Sequence, residues 1–181
     1  MPAGPQQCPP IHSSDPVSAY VALGANLGDA VAALRQAVAA MNGLPHTQVL
    51  QSSSLYQTAP HGTDSDSGEV VAAPGSDYFN AVVELHTGLS APALLDQLLL
   101  IEQAAGRVRP YRNAPRTLDL DLLLYGSARI DSARLTLPHP RMGQRAFVLV
   151  PLAEIAPDRV SAEQLQAVQY QPIKRLGPFG G

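Results

Sequence analysis

Residues 116–125 read RTLDLDLLLY, with leucine at every second position: Leu118, Leu120, Leu122 and Leu124. That is the period of a strand with one buried face. The opposite face carries Asp119 and Asp121, two like charges on Cα atoms about 7 Å apart. Adjacent carboxylates repel, and burial raises the cost of keeping both charged. Two explanations stand side by side. Either the acids line a solvated sheet face, or they hold divalent cations, two Mg²⁺ ions about 3.5–4 Å apart that also grip phosphate oxygens. The leucines, which argue against a freely solvated strand, and the arginines just upstream favour the second.

Working outward from this strand, the spacing predicts an α+β chain. Residues 1–16 are rich in Pro, Gly, Ser and Gln and are expected to be a disordered leader. Val17–Leu23 reads as a strand and Gly24–Gly28 as a turn. Asp29 stands at the N-cap of a helix carrying Val31, Leu34, Val38 and Met41, stopped by Gly43 and Pro45. Residues 47–58 read as one extended strand, and 59–77 as a long loop without periodicity. Residues 78–87 return to strand. Ser90 and Pro92 open a second helix with Leu94, Leu95, Leu98, Ile101 and Ala105 on one face, closed by Gly106. The order β-α-β-β-α-β ending on residues 116–125 predicts a ferredoxin-like core, an antiparallel sheet with helices on one face plus C-terminal additions. A further helix is expected from Gly143 or Gln144. The expected division is leader 1–16, domain 17–160 and a weakly patterned tail 161–181.

The chain has 181 residues, 45% of them hydrophobic and 15% charged, with a formal net charge of -3. This balance gives no general attraction to nucleic acid or anionic membrane. Cys8 is the one cysteine, which excludes an intrachain disulfide and fits a reducing cytoplasm. No apolar run approaches the roughly 18 residues of a membrane-spanning helix, and no secretory signal is visible. Neither nucleic acid nor membrane is therefore an expected partner.

Two further stretches carry chemistry. Residues 106–116, GRVRPYRNAPR, put Arg107, Arg109, Arg112 and Arg116 in one loop before the acidic strand. Guanidinium groups bind phosphate bidentately and stay charged. In isolation they fit a solvated loop equally well. Beside an acidic pair they supply the positive charge that phosphoryl-type transfer needs. Residues 137–147, LPHPRMGQRAF, hold His139 between two prolines, with Arg141 and Arg145 near it. That histidine is suited to bind a phosphate or carry a proton, or it is an ordinary loop histidine. Neither a Walker-type phosphate loop nor a dinucleotide G-x-G-x-x-G is present.

With these residues in place, residues 106–126 and 135–157, together with YVALGANLGD (20–29), SSLYQTAP (53–60) and DYFNAVVEL (77–85), strongly resemble 6-hydroxymethyl-7,8-dihydropterin pyrophosphokinase of folate synthesis. The resemblance spans about residues 17–160. It implies a ferredoxin-like fold and Mg²⁺-dependent transfer of diphosphate from ATP to the pterin hydroxymethyl group, leaving AMP. It implies that Asp119 and Asp121 hold two Mg²⁺ ions, and that Arg107 and Arg109 belong to a closing catalytic loop. Glu102, Arg109, Arg116, His139 and Arg145 would bind ATP. Thr58 and Ala59 would offer backbone groups to the pterin, Asn80 an amide, and Tyr78 and Phe147 aromatic faces. The chain departs from the family in having no tryptophan, with Asn113-Ala114 in place of the usual Trp-Gly, and in an insertion over His61–Asp77. A member of the family that binds pterin without turnover is one alternative. An RNA-binding ferredoxin-like sheet is another, opposed by the acidic balance and the two aspartates.

Overall fold

The computed structural model describes residues 15–63, 70–72, 75–106 and 117–179. Residues 1–14 of the expected leader and residues 107–116 of the arginine loop, with Arg107, Arg109, Arg112, Arg116, Tyr111 and Asn113, lie outside the described residues.

Apolar runs bounded by polar caps build the core. Strand β1 (Val17–Ala25) leads into helix α1 (Ala30–Asn42), where the Asp29 side chain accepts the N–H of Ala32 at 2.9 Å. Strand β6 (Tyr78–Thr87) leads into α2 (Ala91–Ala104), where Ser90 caps the first turn and Pro92 occupies it. The expected caps are the observed ones. Strand β7 (Asp119–Tyr125) closes the core, lying antiparallel to β1.

Between α1 and β6 the chain forms β2 (Thr47–Ser52) and β3 (Ser54–Thr58), both antiparallel to β6. The single strand expected over 47–58 is broken at Ser53. Its N–H donates to the Val82 carbonyl at 2.9 Å, and its Oγ accepts the Val82 N–H at 3.0 Å. A side-chain oxygen thus replaces a ladder carbonyl and kinks the chain. The stretch expected to be a structureless loop contains a small hairpin, β4 (His61–Thr63) with β5 (Val70–Ala72). After β7 come β8 (Ile130–Asp131) and β9 (Thr136–Leu137), which pair with each other. A 3-10 turn at Met142–Gln144 precedes α3 (Ala146–Ile155), so the third helix starts two to three residues later than its spacing suggests. The weakly patterned tail is structured through α4 (Ala162–Val168) and β10 (Lys174–Pro178), which adds to the sheet alongside β3.

The sheet order is β10-β3-β6-β1-β7, with β2 also on β6. With β2 and β3 counted as the second core strand, this is the antiparallel arrangement expected for a ferredoxin-like unit. Helices α1 and α2 bury Leu34, Ala37, Met41, Leu94 and Leu98 against one face, with Val21, Leu23, Leu120 and Leu122. Helices α3 and α4 cover part of the other face, packing Val148, Leu149, Leu152 and Val168 with Tyr20, Ala22, Val82 and Leu123. The core helices occupy one face as expected, and the C-terminal additions supply the second layer.

The leucine repeat of β7 is interrupted. The register shifts between Tyr20 and Val21, so Leu122 faces Val21 while Leu124 faces Tyr20. Leu118, Leu120 and Leu122 belong to the α1/α2 side. Leu123 and Leu124 both turn to the α3 side. A β-bulge, one extra residue on one strand, is the physical reason.

Candidate active site

In β7 the residues at i, i+2 and i+4 share a face: Asp119, Asp121 and Leu123. Leu123 is fully buried under α3, while the two aspartates lie further along, half-buried. The strand register extends this face sideways. Asp119 pairs with Gly24, Gly24 with Asn80, and Asn80 with Tyr56. One row across four strands therefore brings an aspartate, a glycine, an amide and a phenol to one side of the sheet. Asp121 begins the next row, through Ala22 to Val82.

Asp121 has one guanidinium and one imidazole beside it. Arg145 Nη1 lies 3.5 Å from its Oδ2, and His139 Nε2 lies 3.9 Å from its Oδ1. His139 is held by its backbone N–H, which donates to the Leu123 carbonyl at 2.9 Å, tying the proline-flanked loop to β7. Its Nδ1 accepts the Arg141 N–H at 3.2 Å, so in the neutral ring the proton sits on Nε2, facing Asp121. Burial pushes the His139 imidazole below its ordinary pKa, the neighbouring Asp121 opposes that, and Arg145 and Arg141 add to the lowering. The Arg145 guanidinium also lies over the Phe147 ring, 5.5 Å from its centroid, a cation–π arrangement. Both residues stand at the start of α3, on the α3 side of the sheet.

The pterin-side candidates gather at the same end. Asn80 and Thr58 are buried, and the Asn80 amide donates to Thr58 Oγ1 at 3.1 Å. Tyr78 pairs with Thr58 and, two residues before Asn80, faces the same way. Ala59 follows directly and is exposed. Glu102, expected at the nucleotide, stands near the end of α2. It is 1% exposed, and its Oε1 accepts the N–H of Leu120 at 2.7 Å. Its carboxylate reaches the backbone between the two aspartates.

The donor set can be tested against Mg²⁺. Among the described residues there is no cluster of three or more His, Cys, Asp or Glu side chains fit to hold a metal. Mg²⁺ needs none. It keeps several waters and is bound by one or two carboxylates plus substrate phosphates. Two half-exposed carboxylates on one face fit that pattern.

Two residues that matter here were not singled out from the sequence. Gly24 was read as part of a turn, yet it lies inside central strand β1 and is partly exposed between buried Leu23 and Ala25. A Cβ there would meet, among the described residues, only Asn80 Oδ1 at 3.4 Å. A glycine within a strand-like run is the signal that marks such a place, since it often indicates close approach by a ligand. The second is Gln171. Its contacts to Ala146 and Gln144, 25 and 27 residues away in the chain, leave no local signal.

Residues 20–157 match the family model described as 7,8-dihydro-6-hydroxymethylpterin-pyrophosphokinase (HPPK). A Synechocystis protein named 2-amino-4-hydroxy-6-hydroxymethyldihydropteridine pyrophosphokinase is 45% identical over 156 residues, covering 86% of this chain and 71% of that one. A protein of the same name from Methylorubrum extorquens is 45% identical over 163 residues, covering 90% and 95%. Among solved structures, a Plasmodium falciparum HPPK-DHPS crystal structure aligns with a TM-score of 0.65 at 14% identity. That alignment covers 88% of this chain and 46% of the longer one, so the likeness is one of fold, to about half of that protein.

Proposed function

The chain belongs to the 7,8-dihydro-6-hydroxymethylpterin-pyrophosphokinase family, and from that premise we propose how its own residues divide the family's reaction between them. The enzyme transfers diphosphate from ATP to the hydroxymethyl group of 6-hydroxymethyl-7,8-dihydropterin in folate biosynthesis, with Mg²⁺. The hydroxymethyl oxygen forms a bond to the β-phosphorus. The bond from that phosphorus to the oxygen bridging it to the α-phosphorus breaks, AMP leaves with the bridging oxygen, and the hydroxyl proton is lost. No protein nucleophile is needed, so the protein's task is positioning and electrostatic stabilisation.

Asp119 and Asp121 are assigned to Mg²⁺, with two ions shared by the pair. When bound, the metal neutralises phosphate charge as a Lewis acid. Arg145 and His139 already stand at Asp121, 3.5 Å and 3.9 Å away. Both are assigned to the ATP phosphates, Arg145 turning from the carboxylate to the polyphosphate as the nucleotide enters. Its fork of donors suits that exchange. The His139 Nε2–H donates to a phosphate oxygen. Arg107 and Arg109 are assigned to the loop that closes over the phosphates, and Arg116 to the nucleotide. Asn80, Thr58 and Ala59 read the pterin edge, while Tyr78 and Phe147 offer aromatic faces to a flat heteroaromatic ring. Glu102 is assigned to the nucleotide site, and its carboxylate also holds the strand backbone that carries the acids. ATP and the pterin are the small-molecule partners, and the cytoplasm, where ATP is supplied, is the proposed location.

The observation that carries this assignment is the row Asp119–Gly24–Asn80 beside the Asp121–Arg145–His139 group. It sets an amide for a heterocycle and a charged group for polyphosphate on one sheet face, two strands apart. Incubation with ATP, Mg²⁺ and hydroxymethyldihydropterin, followed by separation of the nucleotides, tests the reaction. AMP is the expected product; ADP would refute diphosphate transfer.

A further inference from the structure

Arg145 occupies an irregular backbone position. It lies between the 3-10 turn at Met142–Gln144 and the first residue of α3, with φ -127° and ψ 113°. Its N–H donates to the Met142 carbonyl at 3.3 Å and its carbonyl accepts the N–H groups of Val148 and Leu149 at 3.1 and 3.0 Å, so each helical element holds one edge of one flanking peptide plane and leaves the other edge to a further partner. It stands at the N-cap of α3, yet its own side chain makes no capping hydrogen bond. A helix start leaves backbone N–H groups that need partners from elsewhere.

That partner comes from the C-terminal segment. The Gln171 side chain uses both ends of its amide: Oε1 accepts the Ala146 N–H at 2.9 Å, and Nε2 donates to the Gln144 carbonyl at 2.9 Å. The Gln144 carbonyl belongs to the peptide plane just before Arg145. The Ala146 N–H belongs to the plane just after it. One side chain thus grips both planes flanking Arg145, and the orientation of those two planes is what φ and ψ of Arg145 describe. The direction in which the arginine side chain leaves the backbone follows from them.

Gln171 is itself anchored on both sides. Its N–H donates to the Val168 carbonyl at 3.0 Å at the end of α4, which opens with a capping box between Ser161 and Gln164. Three residues later β10 begins and pairs with β3, and the Arg175 guanidinium reaches Glu154 of α3 at 3.0 Å. The family match ends at residue 157, so this clamp comes from chain outside the matched segment.

We propose that Gln171 is a positioning residue for Arg145: its amide fixes the two peptide planes around that arginine and so aims the guanidinium at the polyphosphate. The inference rests on the assignment of Arg145 to the ATP phosphates, and its test separates the two. Gln171→Met keeps the bulk of the side chain and removes both hydrogen bonds. Gln171→Ala removes the side chain altogether.

Each is expected to lower kcat about ten- to a hundredfold, the range for misplacing a reacting group by about an ångström, with the pterin KM within about twofold. Arg145→Ala should lose at least as much. The decisive measurement is the double variant Gln171→Met with Arg145→Ala. If Gln171 acts through Arg145, the double variant turns over no more slowly than Arg145→Ala alone, because the second change then has nothing left to misplace. Penalties that multiply overturn the inference and leave Gln171 a general support of α3. Parental turnover in Gln171→Met also overturns it. If Arg145→Ala itself keeps parental turnover, the phosphate assignment fails and the inference falls with it.

Discussion

Glu102 Oε1 accepts the N–H of Leu120 at 2.7 Å, so a carboxylate from the end of α2 grips β7 midway between Asp119 and Asp121. Among the described residues β7 is an edge strand, and an outward N–H there has no ladder partner among them. Glu102→Ala leaves that buried donor unsatisfied, at a cost of about 1–3 kcal/mol. Glu102→Gln keeps an acceptor of the same reach. The alanine variant should lose stability in urea and turn over slowly, while the glutamine variant recovers most of both. Equal stability of the two would show that the contact contributes little.

Removal of either acid should separate stability from activity. Asp119 and Asp121 lie on one strand face, and neither is needed to fill the core. Asp119→Ala and Asp121→Ala are expected to unfold within about 1 kcal/mol of the parent, the scale of an unremarkable surface change. Turnover should fall by more than about a hundredfold, as for groups acting on developing charge. Near-parental turnover in either variant rules out its metal assignment.

Gly24→Ala should act in opposite senses on the two properties. Strand glycine is entropically unfavourable, and replacement where the backbone allows it stabilises by about 0.4–1 kcal/mol. Gly24 has no left-handed φ, and a Cβ there would meet Asn80 Oδ1 at 3.4 Å, at the near edge of ordinary contact. The added methyl would stand over the face between Asn80 and Asp119, where the pterin is assigned. A higher melting temperature with a raised pterin KM is expected. A stabilised variant with an unchanged pterin KM would remove Gly24 from the site.

The fastening of α3 to the sheet has a pH signature. Glu154 accepts from Ser54 N, Ser54 Oγ, the Tyr56 hydroxyl and Arg175. Burial alone would raise its pKa, but these hydrogen bonds together outweigh burial and hold it below its ordinary value. A depressed folded-state pKa contributes stability that is present above the unfolded value, near 4.3, and is lost as pH falls through the folded one. Tyr56 is displaced the other way, to about 12, by burial first and by Glu154 second. Its contribution is full below about 10 and is lost as pH rises toward 12. Chemical denaturation at stepped pH should show both losses, and Glu154→Gln should abolish the acid one. An unaltered acid limb in that variant would refute this origin.

The caps and apolar periods of α1 and α2 were legible because the determinants are local: Asp29 with Ala32, Ser90 with Ala93. The acidic pair and His139 were legible as chemistry for the same reason, since residue type and close spacing carry that signal. What escaped depends on distant partners. The break at Ser53 needs Val82, the bulge at Leu123 needs the register of β1, and β10 has an exposed, irregular pattern that acquires its identity only by pairing with β3. Glu102 reads as a site residue, but its contact with the Leu120 N–H is visible only once the strand lies beside it.

The pairing of β10 with β3 also sets a timetable. Lys174 meets Gln57, and Pro178 meets Ser54, across well over a hundred residues of intervening chain. On the ribosome, where the N-terminal portion emerges and folds first, β1, α1, β6, α2 and β7 are all available before residue 170 has been made. The acidic strand can be in place while the far edge of the sheet is still bare. Only when residues 171–178 leave the exit tunnel can Gln171 and Arg175 reach α3. A nascent chain holding its aspartates in order would thus still lack the Gln171 contacts to the peptide planes on either side of Arg145.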